Sequence, residues 1–363
     1  MRIGFFTDTF LPQTNGVVTS ILSSGTALTE RGHEVHVFCP KTKLKEYRGI
    51  HIHSYPAVPF RPYPEFKIAV PQGREKVPPL DIVHTHSPFT MGFFGWRVSR
   101  FQKIPRVSTF HTLLSEYVKY VKLGGPFAKF LTWKLCTFFY NGHRKVVAPS
   151  RSLKKLLKEK GVKKPIEVIP NGIDLRLYHP IDKKLARKKL GLQNGRIFLS
   201  LGRLSYEKNL DVIIRAMEKA DGTLLIAGRG PAKPKLQKLV KKIGLEKKVR
   251  FVGYIPNAYK KYYFSAADGF LIASTSETQA IVVAEAMACG CPVIGAKSLA
   301  IPEFVVNGKN GYLFEPNNID ELSEIIAEFE PSEKMSRAAI ETAKKFRLEN
   351  CVIRLEKFYA SVL

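Results

Sequence analysis

The chain has 363 residues, 45% apolar and 25% charged, with 58 Lys and Arg against 31 Asp and Glu for a net charge of +27. Its length exceeds that of most single domains and predicts two of about 170 to 190 residues, and its apolar content, enough for two cores, excludes a disordered or low-complexity chain. Five scattered cysteines (Cys39, Cys136, Cys289, Cys291, Cys351) form neither a C-x-x-C pair nor a regular framework, which excludes a disulfide scaffold and points to a reducing cytoplasm. Asp8 interrupts the first apolar run before a signal-peptide core forms, and Lys129 and Lys134 interrupt the most apolar stretch, so a soluble or peripheral protein is expected. The charge is uneven: residues 1–170 carry 27 cations against 10 acids, the rest 31 against 21. That surplus implies a polyanionic partner, nucleic acid or an anionic membrane surface, because a thermophile's lysine-rich surface raises glutamate alongside lysine.

In chain order, Arg2 to Asp8 reads as a buried strand, Thr9 to Gly16 as a loop, Val17 to Arg31 as a helix stopped by Gly32, and Glu34 to Pro40 as a second strand. This opens a doubly wound α/β domain. Asn15 and Gly16 stand just ahead of the helix, where a residue without Cβ lets a diphosphate approach the backbone; an ordinary turn fits the pattern equally well. Residues 41–80 read as irregular and Pro-rich, with one or two strands around Ile50 to Tyr55. Asp81 to His86 is a strand end. His84 and His86 share one of its faces, but no third ligand follows at metal spacing, so packing or an acceptor contact is expected there. Arg106 to His111 is the next strand and brings His111 to the carboxyl edge of the sheet. From Lys119 to Lys164 there are thirteen Lys or Arg and one acid, Glu159, interleaved with Phe127, Phe130, Leu131, Trp133, Phe138, Phe139 and Tyr140. Cations alternating with an apolar face suit a helix lying on an anionic bilayer; a buried aromatic face with solvated lysines is the rival reading.

Lys145 to Ser150 and Ile166 to Asp174 close the first domain, and a Pro-Asn-Gly turn makes a hinge. Arg196 to Gly202 starts the second. Arg203 and Lys208 follow at the strand's carboxyl end, where two cations suit the charge developing on a diphosphate leaving group. Leu224 to Gly230 is a strand and turn lacking the third glycine of a dinucleotide fingerprint, and Val249 to Ile255 is another strand. Gly269 to Ser274 (strand), Thr275 to Gln279 (loop), Ala280 to Cys289 (helix stopped by Gly290) and Cys291 to Ala296 (strand) make a βαβ unit. The amides of Ala280, Ile281 and Val282 suit a phosphate, leaving Glu285 for a ribose and Glu277 for whatever the phosphate carries, a layout for a sugar nucleotide. Spacing alone also fits a dipole-stabilising acid followed by a solvated glutamate. Residues 318–363 read as helical.

Ser276-Glu277-Thr-Gln-Ala-Ile-Val-Val-Ala-Glu285-Ala-Met-Ala-Cys-Gly290-Cys-Pro-Val-Ile294 resembles the E-x7-E signature of retaining glycosyltransferases of family 4, and Gly202 to Asn209 is similar to that family's donor-phosphate motif. The likeness runs along nearly the whole chain. It implies a GT-B fold of α/β class, two Rossmann-like doubly wound parallel-sheet domains with a cleft between them. Residues 1–173 would be the acceptor-side, membrane-facing domain, 174–343 the nucleotide-sugar domain, and 344–363 a helix crossing back to the first. The resemblance further implies that the Gly16 loop reaches across the cleft, that His111 and Glu277 orient the sugar, and that the Ile255 backbone meets the base. Gly202, Arg203 and Lys208 would then hold the departing diphosphate, with no metal required. Position 280 is often glycine in that family and is alanine here. Thr109-Phe-His-Thr112, with Glu116 and Tyr117 behind, resembles lipid-directed members such as diacylglycerol glucosyltransferases. The expected donor is thus UDP-glucose and the expected acceptor a diacylglycerol or monoglycosyl diacylglycerol. The expected location is the cytoplasm, peripheral on the inner face of the cell membrane, with no nucleic-acid partner. Mannosyl or galactosyl transfer to another acceptor, a nucleotide-sugar epimerase of the same fold, and a basic nucleic-acid-binding protein remain as alternatives.

Overall fold

The structure, a computed structural model, describes residues 1–13, 15–60, 63–73, 76–114 and 125–363. Glu116, Tyr117 and Lys119 therefore lie outside the described residues. Contacts divide the chain into two units, Met1–Gly172 with Leu348–Leu363, and Ile173–Arg347.

Among the described residues, the strands of the first unit are β1 (Arg2–Phe6), β2 (Glu34–Pro40), β3 (Glu46–Tyr47), β4 (Ile50–Tyr55), β5 (Ala57–Phe60), β6 (Tyr63–Ala69), β7 (Ile82–Thr85), β8 (Arg106–Thr109), β9 (Lys145–Ala148) and β10 (Ile166–Val168). Eight of them form one sheet in the order β10-β9-β8-β7-β1-β2-β4-β3, while β5 and β6 pair by themselves. The ladder is parallel except for β3 on β4. Its strands carry short apolar runs because both faces are covered, and Ile3, opposite Val35 and Ile82, is fully buried. In the segment 41–80 the expected strand at Ile50–Tyr55 is present with Glu46–Tyr47 beside it, and two further short strands, β5 and β6, stand where the irregular reading had none. Pro59 and Pro64 obscure the last two, since proline breaks the alternating pattern yet is tolerated at sheet edges.

The second unit holds β11 (Ile197–Leu201), β12 (Thr223–Ala227), β13 (Val249–Gly253), β14 (Gly269–Ile272), β15 (Val293–Ala296) and β16 (Gly311–Phe314) in a parallel sheet ordered β13-β12-β11-β14-β15-β16. Strand order reverses between β11 and β14. Open α/β sheets bind ligands outside the carboxyl ends of the strands at such a switch point. The first sheet has its own reversal between β1 and β7. β13 ends at Gly253, short of Ile255, and the helix after β14 runs only over Ile281–Ala288. The C-terminal stretch is three helices, Ile319–Glu328, Glu333–Lys344 and Leu348–Ala360. No helix among the described residues is long and apolar enough to cross a membrane.

Candidate functional site

At the switch point of the second sheet, Arg203 and Lys208 follow β11 and Glu277 follows β14. Lys208 ends a short 3-10 turn, Tyr206–Lys208, and its ammonium donates to Glu277 Oε1 at 2.5 Å with both side chains largely buried. The loop carrying Glu277 is tied down on two sides: Ser274 Oγ donates to the Glu207 carbonyl at 3.4 Å and Ser298 Oγ to the Thr275 carbonyl at 3.1 Å. Arg203 is half-buried, and burial holds its guanidinium below the usual range while the charge of Glu207 partly offsets this. A Cβ added at Gly202 would meet open space, so the backbone beside Arg203 is accessible. Gly228 shows the reverse: its φ of +134° and a Cβ position 1.8 Å from the Gly202 carbonyl admit only glycine. Glycine there lets the turn after β12 close against the turn after β11.

Ala280 is the N-cap of the helix Ile281–Ala288 and takes φ 61°, ψ 52°, the left-handed conformation a glycine would adopt without strain. The first-turn amides, Ile281 and Val282 included, belong to the set a helix leaves without intrahelical partners. Behind them Ile255, Ala280, Val283 and Ala284 pack into one core, so the Ile255 side chain faces inward. One turn into the helix, Glu285 is buried, with its carboxylate 3.2 Å from Lys260 Nζ. Lys260 Nζ also donates to the Tyr178 hydroxyl at 3.5 Å, and burial first, then the charge of the Glu285 carboxylate, raises that phenol above its ordinary range.

The carboxyl edge of the first sheet is built from imidazoles. His86 Nδ1 lies 2.9 Å from His111 Nε2 with the rings stacked, and His84 stacks on His86 at 4.3 Å. Both nitrogens of His84 are used, one with the Tyr359 hydroxyl and one with Thr109 Oγ1, each at 2.7 Å, so its contacts are those of packing. Burial lowers His111 to about 3 and His84 and His86 well below their ordinary value, leaving the cluster uncharged at neutral pH. Asn15 is the N-cap of the helix Gly16–Glu30: its Oδ1 accepts from the Val18 amide at 3.0 Å and its Nδ2 donates to Thr9 Oγ1 at 2.9 Å. The helix thus starts at Gly16, one residue earlier than the sequence pattern suggests.

Among the described residues, the basic stretch holds two helices with β9 between them. Pro126–Asn141 buries Cys136, Phe139 and Tyr140 and leaves Phe127 (72% exposed), Phe130, Leu131, Leu135 and Phe138 (63%) open along one side, at the spacing of a single helical face. Lys134 sits 5.2 Å over the Phe130 ring. Arg151–Glu159 buries Leu153 and Leu157 and exposes Lys155 and Lys158. The aromatics therefore divide between core and surface. A groove of about 400 Å³ lined by Pro71, Pro88, Phe89, Phe93, Phe94, Arg97 and Leu135 adjoins the exposed stripe.

Sequence pattern missed Lys260 and Tyr178. Lys260 stands on the helix Asn257–Ala266, 25 residues before Glu285, and no local spacing links the two. The signal it offers is a pair of adjacent lysines, Lys260 and Lys261, in the middle of a helix that buries Phe264, Ser265 and Ala266 at its end.

Residues 14–177 match the family model described as Glycosyltransferase Family 4, and residues 182–346 match Glycosyl transferases group 1. The chain is 36% identical over 312 residues to alpha-monoglucosyldiacylglycerol synthase of Streptococcus pneumoniae, covering 81% of this chain and 70% of that one. It is 30% identical over 342 residues to the protein of the same name from Acholeplasma laidlawii, covering 87% and 85%. Among solved structures, it is similar to Anabaena HepE in complex with UDP-glucose, with a TM-score of 0.82 at 22% identity over 99% of this chain and all of that one. It is likewise similar to sucrose-phosphate synthase from Thermosynechococcus elongatus, with a TM-score of 0.83 at 21% identity over 99% and 98%. At those identities the structural likeness speaks for the fold.

Proposed function

The chain belongs to glycosyltransferase family 4, has the GT-B fold and is a hexosyltransferase, and from that premise we propose that it moves glucose from UDP-glucose to a lipid hydroxyl with retention of configuration. The observation that carries the reading is the Lys208–Glu277 pair at the switch point of the second sheet, with Arg203 five residues before Lys208 after the same strand. When the donor enters, its diphosphate takes Lys208 from Glu277, and the freed carboxylate accepts hydrogen bonds from the sugar. Arg203 and Lys208 then hold the charge that grows on the departing diphosphate, the step at which preorganised cations lower the barrier. A diphosphate oxygen accepts the proton of the attacking hydroxyl on the same face of the sugar, so no protein carboxylate needs to bond the anomeric carbon. The amides of Ile281 and Val282 and the backbone at Gly202 and Ala280 bind phosphate, Glu285 the ribose, and the Ile255 backbone the base. Uncharged His111, oriented by His86, hydrogen-bonds the sugar as a neutral donor or acceptor. Gly16 and Asn15 are the remaining donor contacts of this reading.

The relatives named alpha-monoglucosyldiacylglycerol synthase favour glucose and a diacylglycerol acceptor, with monoglycosyl diacylglycerol the next choice. The exposed stripe of Pro126–Asn141 and the cations around it favour peripheral binding to an anionic membrane, on the inner face of the cell membrane. The adjoining groove, with Phe89, Phe93 and Phe94 in its wall, then takes acyl chains. A donor panel of UDP-glucose, UDP-galactose and GDP-mannose, crossed with lipid and soluble acceptors and read on thin-layer plates, tests the reading. UDP-glucose with diacylglycerol should give the fastest glycolipid formation. Product only on soluble acceptors would overturn the lipid assignment, and turnover of donor without any acceptor would indicate an epimerase.

A further inference from the structure

We infer that Lys260 and Tyr178 clamp the Glu285 carboxylate so that it presents a fixed pair of acceptors to the ribose hydroxyls of the nucleotide; the inference rests on the reading of Glu285 as the ribose contact. The Glu285 side chain is 4% exposed and that of Lys260 16%, at an Nζ to Oε2 distance of 3.2 Å. Removing a carboxylate from water to that degree is costly unless a cation and further hydrogen bonds meet it. Lys260 supplies the cation from outside the carboxylate's own helix, on Asn257–Ala266, and is itself held by Tyr178, from the segment that precedes the helix Lys183–Leu190, whose hydroxyl accepts from Lys260 Nζ at 3.5 Å. The ammonium also lies 5.9 Å from the centroid of the Tyr178 ring, which confines it on a second side.

Two consequences follow for a nucleotide. A carboxylate one turn inside a helix whose N-terminus takes a diphosphate would repel that diphosphate, and Lys260 neutralises the repulsion. A carboxylate gripped from behind keeps its remaining lone pairs in one direction, where a vicinal diol can donate to both oxygens. Deleting either ribose hydroxyl then leaves a buried acceptor unmet, the arrangement that gives strong discrimination against the analogue lacking the group. Lys260 is thus a positioning residue: it acts through Glu285.

The test is calorimetric binding of UDP, 2′-deoxy-UDP and 3′-deoxy-UDP to the full-length protein and to Lys260→Met, Lys260→Arg, Glu285→Gln and the Lys260→Met/Glu285→Gln double variant, with donor kinetics on the same set. Wild type should prefer UDP over either deoxy form by about ten- to hundredfold, the range for a hydrogen bond to a charged group. Lys260→Met should lose most of that preference and raise the donor KM by a similar factor, with kcat lowered by less than about threefold, and Lys260→Arg should restore it. In the Glu285→Gln background, Lys260→Met should add nothing, because the two act as one unit. An unchanged preference in Lys260→Met overturns the clamp, as does full additivity in the double variant. An unchanged preference in Glu285→Gln overturns the ribose reading beneath it, a separate result. Should thermal melting show Lys260→Met unfolded, Tyr178→Phe, which removes only the hydroxyl, should still weaken UDP by about threefold or more, and no change there overturns the clamp.

Discussion

The two sheets share parallel, doubly wound architecture but carry opposite chemistry at their carboxyl edges. In the first unit His84, His86 and His111 are stacked, hydrogen-bonded and kept uncharged by burial. In the second, full charges stand in pairs, Lys208 with Glu277 and Lys260 with Glu285. The difference follows from what each edge is proposed to meet. Anionic phosphates and a charge that grows during reaction call for cations that can change partners, whereas hydroxyl groups are met by neutral imidazoles without the desolvation cost of an ion.

The largest effects are expected at the charged edge. Lys208→Ala and Glu277→Ala should each lower turnover by about a hundredfold, near 3 kcal/mol in the transition state, far more than they lower the population of folded protein. Steady-state rates alongside thermal unfolding check this; near-normal rates would remove the edge from the chemistry. An effect of similar size is expected on the surface of the first unit. Replacing Lys129, Lys134 and Lys155 together should weaken binding to anionic vesicles by about 3 kcal/mol at low salt, at roughly 1 kcal/mol per cation that reaches lipid, and added salt should mimic the change. Vesicle sedimentation measures it, and donor affinity in the second unit should be retained. Equal partition onto neutral and anionic vesicles would move the acceptor from a bilayer lipid to a soluble compound.

A smaller effect sharpens the neutral side. Burial lowers His143 to about 3, with Nδ1 donating to the Phe139 carbonyl at 2.9 Å and Nε2 accepting from Trp96 at 3.1 Å. The unfolded chain takes up this proton near pH 6.5 and the native state only near pH 3, so the stability involved is present above about pH 6.5 and is lost as pH falls. In that window His143→Gln should flatten the pH dependence of urea unfolding by about 1.4 kcal/mol per pH unit. The smallest effect lies at Ala280, whose φ of 61° glycine adopts freely. Ala280→Gly should stabilise the protein by about 1 kcal/mol or less, since relief of left-handed strain is partly cancelled by the greater freedom of glycine when unfolded. A loss of stability would contradict the strain at that cap.

The fold and the family were readable because they rest on local signals. Buried parallel strands read as apolar runs, Gly290 ends a helix, and the stretch from Ser276 to Glu285 keeps its acids at a fixed spacing. The hairpin of β5 and β6 was not readable, since its prolines break the alternation that marks a strand. Nor were the partners of the two glutamates. Lys208 lies 69 residues from Glu277 and Lys260 lies 25 from Glu285, and only folding brings them within bonding distance. The basic stretch told its composition but not its division: Phe139 and Tyr140 are core, while Phe127 and Phe138 face outward on the same helix.

The role of the charged edge in lipid glucosylation is measured by transfer of labelled glucose from UDP-glucose into the lipid phase of diacylglycerol vesicles by wild type and by folded Lys208→Ala. Wild type should carry label into an α-linked glucolipid, and the variant should do so about a hundredfold more slowly. Equal transfer by both proteins, or a β-linked product, would contradict the account.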